Sequence, residues 1–261
     1  MSNLRVSIIQ QDIALGIPDE NIANAQKWIA LAAKTNPDII VLPELWNTGY
    51  ALDRIRTICD HDGAMSRAVI GQLAREHHTH ILAGSVADER DGNVFNTSYM
   101  FDRNGDVAAT YSKTHLFRLM DEHHYLTAGN TSTTWMIDDI PCGAMICYDL
   151  RFPELTRKLA LAGAQIAFVP AEWPHPRLAH WRQLQIARAI ENQMFIVSCN
   201  RVGQSDDTTF FGHSMVIDPW GEIVFEADDQ PGLTTVELHL DAVADIRSRI
   251  PIFQDRRPEL Y

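Results

Sequence analysis

Short apolar runs recur along this sequence: RVSIIQ, DIIVLPE, HILAGSVA, GAMICYD, QIAFVPAEW and MFIVSCN. Several are followed by segments with helical spacing. Runs this short, bounded by polar and turn-forming residues, read as buried strands rather than helices. The first is followed by DENIANAQKWIALAAKT, where Ile22, Ala25, Ile29 and Ala32 fall on one helical face. MSRAVIGQLAREHH, PELTRKLALAGA and HWRQLQIARAIENQ read the same way. Two stretches break the alternation and read as hairpins. VFNTSYMFD and VAATYSK flank RNGD, where Asn104-Gly105 is expected to take positive φ, and HSMVIDPWGEIVFEA turns at Asp218 to Gly221. A last strand, LTTVELHL, precedes a short helix and the tail IPIFQDRRPELY. Helices flanking strands that are joined by both crossovers and hairpins imply a layered α/β protein with mixed sheets.

A chain of 261 residues, 46% of them hydrophobic, can bury a large core. It shows no low-complexity tract, linker or repeat, so one domain over 1–261 is expected. The net charge of −12 disfavours nucleic acid and anionic membrane as partners. MSNLRVSIIQQD lacks the apolar core of a signal peptide, and no stretch is long enough to span a bilayer, which gives a cytoplasmic expectation. Four cysteines without a CxxC pair do not suggest a disulfide framework, and the eleven histidines show no zinc spacing. GxGxxG, GxxxxGK[ST] and GxSxG are all absent, against dinucleotide, P-loop and serine-hydrolase chemistry.

Three polar residues stand just past the end of an apolar strand: Glu44 after DIIVLP, Lys113 after VAATYS and Cys147 after GAMI. Strand ends in α/β sheets gather loops into a crevice where ligands bind. Singly, each has a plain reading: a turn-capping acid, a surface lysine, an inert core thiol. Together they describe acyl transfer through a thioester. Glu44 takes the thiol proton and passes it to a leaving amine, Cys147 attacks, and Lys113 holds the oxyanion with a backbone N–H of the turn after the cysteine.

PELWNTGY, YSKTHLF and ICYDLRFPE, in this order, resemble the three motif regions of the nitrilase superfamily, the carbon–nitrogen hydrolases. The likeness covers nearly the whole chain. It implies an α-β-β-α sandwich that continues across a homodimer, with residues 241–261 as a tail at the dimer contact, and no cofactor or metal. It makes Glu44 the base, Lys113 the oxyanion group and Cys147 the nucleophile. In DEHHYLTAGN, Glu122 matches the family's second glutamate better than Asp121, since Leu126 and Gly129 follow at the motif's spacing. Its implied role is to position Lys113 and the water or amine.

In MICYDLRFPE, Tyr148 supplies the oxyanion N–H, and Arg151 either pairs a substrate carboxylate or forms a salt bridge to Asp149 or Glu154. Trp173, in AEWP, is either a pocket wall or a core aromatic. Tyr50 either lines the pocket or packs its loop and is left outside the expected site. His180 and Trp181 are expected to pack, and Cys59, Cys142 and Cys199 to be structural. LPELWNTGY, HLFRLMDEHHYL, CYDLRFPE, AEWPHPRLAHW and ARAIENQ resemble the bacterial ω-amidase branch. That branch implies hydrolysis of the terminal amide of short 2-oxo acids such as 2-oxoglutaramate or 2-oxosuccinamate. N-carbamoyl amide hydrolysis and a catalytically silent binding protein are the alternatives.

Overall fold

The computed structural model describes residues 3–260. Two mixed sheets stack face to face. The larger runs Gly232–His239, Asn3–Gln10, Ile39–Val41, His80–Leu82, Asn93–Phe101, Val86–Arg90 and Asp60–His61, with Val107–Ser112 on the other edge of Asn93–Phe101. The smaller runs Ile223–Glu226, Met215–Ile217, Phe195–Asn200, Ile166–Ala171, Ile140–Ala144 and Thr134–Ile137.

Strand periodicity explains the stacking. Leu4, Val6 and Ile8 alternate on one face of the first strand and pack with Ala144, Phe168, Val197 and Val216 of the other sheet. Ile9, Ile40 and Ile81 face outward, against Ala25, Ile29 and Ala32 of helix α1, Pro18–Ala33. Fully buried side chains of this size each contribute about 1.5–3 kcal/mol, so both faces of these strands are held. On the outer side of the smaller sheet lie helices α2, Pro153–Leu161, and α3, Leu178–Asn192. The result is the expected α-β-β-α sandwich.

Differences from the sequence reading are local. HILAGSVA is two strands, because Gly84 takes φ +46° where an added Cβ would lie 1.8 Å from the Pro43 carbonyl oxygen. The 93–112 hairpin puts only Gly105, not Asn104, at positive φ. There the Asp102 carboxylate accepts from the amides of Asn104 and Asp106 and makes a wider turn than Asn-Gly alone suggests. MSRAVIGQLAREHH is helical without a break over 64–77, but widens to a π-type stretch at Arg67–Gly71. The hairpin Val202–Ser205 and Thr208–Phe211 was not foreseen. Among the described residues no helix is long and apolar enough to cross a membrane.

What matters for the site is direction. Ile140–Ala144, Ile166–Ala171 and Phe195–Asn200 are mutually parallel. The residues following them, Cys147, Glu172 and Arg201, therefore emerge at one edge. Ile39–Val41 and Val107–Ser112 of the facing sheet bring Glu44 and Lys113 to the same place.

Candidate active site

Lys113 is fully buried, and its ammonium donates to two carboxylates at once: Glu44 Oε1 at 2.7 Å and Glu122 Oε1 at 2.6 Å. Both acids are fully buried too. Burial alone would push the lysine's pKa down, but Glu122 and Glu44 outweigh it and hold the group well above the ordinary lysine range. The remaining lone pairs are taken up. Asn96 Nδ2 donates to Glu44 Oε1 at 2.8 Å, the Glu172 amide to Glu44 Oε2 at 2.8 Å, and the Phe117 amide to Glu122 Oε2 at 2.7 Å. Tyr50 donates to Glu122 Oε1 at 2.6 Å and lies 3.2 Å from Glu44 Oε1. Such saturation lets three charges stay buried.

Cys147 opens the turn Cys147–Arg151 with φ +46°, a left-handed conformation that L residues adopt only at a cost. Asp149 holds this turn. Its carboxylate accepts from the Ile146 amide at 2.9 Å, the His115 amide at 3.0 Å, Thr114 Oγ1 at 3.0 Å and Tyr111 Oη at 2.7 Å. Burial pushes the Cys147 thiol well above the usual range; Glu44 raises it further, and Lys113 offsets only part of this. The resting group is the thiol. Burial pushes the Glu122 carboxyl up as well, Lys113 opposing it, so a thiolate would be one more buried anion competing for a single ammonium. Glu44 is the carboxyl group beside that thiol.

The structure thus brings Glu44, Lys113, Glu122 and Cys147 together as expected. Tyr148, the next residue of the turn, sits in a first helical turn, where amides have no intrahelical acceptor. Its ring tilts against Phe117 at 4.7 Å. Trp173 satisfies both readings at once, since it is 3% exposed within the main core and also lines a cleft beside Cys147. That cleft is narrow and runs between Phe117, Cys147, Tyr148, Arg151, Trp173, Pro174 and Arg177. The salt bridge considered for Arg151 is not formed. Asp149 is committed to the turn, and the Arg151 guanidinium instead lies 4.8 Å from the Trp173 ring centroid, with His180 Nδ1 3.3 Å from Nη2. Trp181 is fully buried and donates to the His213 carbonyl, as packing requires.

Sequence reasoning missed five contributors. Tyr50 was left out and proves to bridge two acids. Asp149 was weighed only as a partner of Arg151. Glu172 follows a strand end by the same rule that found Glu44 and Cys147. It pairs with Arg201 Nη1 at 2.8 Å, and burial, opposed by Arg201, pushes its carboxyl up to about 8. Asn96 lies inside a strand and Arg177 in a loop, and neither carried a signal of its own. The exposed Asp121, His123 and His124 place ligand atoms within 4.8 Å of one another, the one grouping among the described residues with a metal-type donor set.

Residues 5–248 match the family model described as carbon-nitrogen hydrolase. A 2-oxoglutaramate amidase from Bacillus subtilis is 44% identical over 256 residues, covering 98% of each chain. A CN-hydrolase superfamily protein from Xanthomonas campestris has a similar structure, with a TM-score of 0.92, 30% identity and 98% of each chain covered. Nit3 of Saccharomyces cerevisiae, a nitrilase superfamily member, gives 0.89 at 28% identity, with 95% of this chain and 94% of that one covered.

Proposed function

The chain belongs to the carbon–nitrogen hydrolase family, an amidohydrolase acting on linear amides, and from that premise we propose that it is an ω-amidase. It releases ammonia from the terminal amide of a short 2-oxo acid such as 2-oxoglutaramate or 2-oxosuccinamate. Cys147 Sγ attacks the amide carbon as its proton passes to Glu44. The carbonyl electrons move to oxygen, held by the Lys113 ammonium and the Tyr148 amide. Collapse breaks the C–N bond, and Glu44 returns the proton to the departing ammonia. Water then adds to the thioester, again losing a proton to Glu44. The acid leaves, and the thiol is restored. Glu122 keeps Lys113 in place throughout, Trp173 walls the acyl chain, and Arg151 takes the substrate carboxylate.

The observation that carries this reading is the buried ammonium shared by Glu44 and Glu122 beside a thiol on a left-handed turn. The name of the relative at 44% identity supports the substrate class. The whole chain acts as one domain. Arg157 and Arg247 both lie over the ring of the tail residue Phe253, at 5.4 and 5.1 Å. These contacts seat the tail against helix α2, and the exposed apolar Leu161 and Ile250 are residues that a homodimer contact would cover.

Ammonia release from 2-oxoglutaramate by the wild type and by Cys147→Ala tests the proposal. Turnover in the wild type and none in a folded Cys147→Ala variant is expected. Unchanged turnover in the variant would overturn the thioester route. Release of carbon dioxide with ammonia from carbamoyl substrates, and none from 2-oxoglutaramate, would replace the ω-amidase reading by N-carbamoyl hydrolysis.

A further inference from the structure

Two guanidinium groups line the cleft beside Cys147, and neither has an acidic partner within ion-pair reach among the described residues. Arg151 meets only rings and His180, and Arg177 meets the His175 carbonyl at 3.3 Å and the Phe117 ring at 5.7 Å. This is a notable omission in a chain with 34 acidic against 22 basic residues. The other walls are apolar: Phe117, Tyr148, Trp173 and Pro174. The two cations also act on each other. Burial, with Arg177 among the lesser contributors, lowers the pKa of Arg151. Like charges set into one apolar cleft repel each other and are stabilised when an anion lies between them.

Arg177 is also firmly placed. Its carbonyl accepts from Trp173 Nε1 at 3.3 Å and from the Trp181 amide at 3.0 Å. It is the N-cap residue of helix α3, so the positive end of that helix adds to the same field.

We propose that Arg177 is a second carboxylate-binding residue, which with Arg151 clamps the acid group at the end of the substrate remote from the scissile amide. The pair selects short anionic amides over neutral ones of equal length. The inference rests on the ω-amidase reading for the identity of the amide, while the clamp itself is a statement about charge. A planar fork holds a carboxylate through two parallel hydrogen bonds, whereas an ammonium offers only a point charge.

The test has two arms. In the first, kcat/KM is measured for 2-oxoglutaramate and for uncharged pentanamide, in wild type, Arg177→Gln and Arg177→Lys. The expected result is a fall of roughly ten- to a hundredfold in the anionic-to-neutral ratio for Arg177→Gln, carried by KM, with partial rescue by Arg177→Lys. An equal loss on both amides would mean a structural role and overturn the clamp, leaving the ω-amidase reading intact. In the second, calorimetry follows 2-oxoglutarate binding to Cys147→Ala and to Cys147→Ala/Arg177→Gln. At least tenfold weaker binding in the double variant is expected, and equal affinity overturns the clamp. This arm needs no turnover, so it decides the inference even if wild type fails to hydrolyse 2-oxoglutaramate.

Discussion

Two buried acid–base clusters lie side by side in this protein, joined by the Glu172 amide that donates to Glu44. In one, Glu44 and Glu122 share the single ammonium of Lys113 next to Cys147. In the other, Arg201 spends its guanidinium on fixed partners: Glu172, Asp12, Ser205 and the carbonyls of Ile13 and Val202. Both are inaccessible to solvent at the cation. The difference lies in what is left to give. Each cluster sets two acids against one cation, but the lysine cluster faces a group able to release a proton. In the arginine cluster the guanidinium is fully engaged, Glu172 Oε1 is buried without a hydrogen-bond partner, and no thiol is part of the cluster. Burial of charge therefore does not by itself separate the two clusters; the thiol beside one of them does.

Removing the two cations should separate the clusters most widely. Lys113→Met leaves two carboxylates buried without their cation and removes the group proposed to hold the oxyanion. Its kcat is expected to fall by on the order of a thousandfold or more, with a stability loss of about 3–5 kcal/mol. Arg201→Met should cost a similar amount in denaturant unfolding, because Glu172, Asp12 and two carbonyls all lose their donor. Its kcat per folded molecule should stay within about tenfold of wild type, since orientation of Glu44 by a backbone amide survives. A folded Arg201→Met enzyme as inactive as Lys113→Met would erase the distinction.

How far the sequence foretold this division follows from what each residue's position expresses. Glu44, Lys113 and Cys147 announced themselves because an apolar strand cannot continue through a charge or a turn, so the residue after it is displayed. Glu172 obeys the same rule after QIAFVPA and was passed over in favour of its neighbour Trp173. The layered fold was legible because alternation of strand and helix fixes which faces must be covered. The turn geometry was less so. Asn104-Gly105 has a strong local preference, yet the Asp102 side chain captured the loop and set another conformation. Asn96, Asp149 and Arg201 reach partners as far as 52, 38 and 189 residues away in sequence, and no local spacing records such pairings. Arg151 was legible as a cation near the nucleophile, but its lack of an acid partner emerged only when Asp149 was seen to be engaged elsewhere.

Tyr50 sharpens the comparison from the reactive side. Its hydroxyl is held as a donor by burial and by the two acids, which push its pKa well above the ordinary phenol range. Tyr50→Phe removes one hydrogen bond from Glu122 and a weaker one from Glu44, while Lys113 remains. A kcat loss of about tenfold is expected, matching a bond of roughly 1.5 kcal/mol to a charged group, with KM less affected. A loss equal to that of Lys113→Met would give the phenol a proton-transfer role of its own.

The smallest effect concerns the arginine cluster and pH. Glu172 rises from the ordinary 4.5 to about 8 on folding. Between those values the folded chain holds a proton that the unfolded chain has released. The stabilising contribution of this carboxyl is therefore fully present below about pH 4.5 and is lost as pH climbs through about 8. Glu172→Gln keeps a neutral amide beside Arg201 and cannot titrate. Its stability relative to wild type should thus improve steadily from pH 5 to 8 and level off above, as read from denaturant midpoints across that range. A difference that stays flat with pH would mean that Glu172 is ionised throughout. The second cluster would then set two carboxylates, Glu172 and Asp12, on one guanidinium, as the first sets two acids on one ammonium, and their separation would rest on geometry alone.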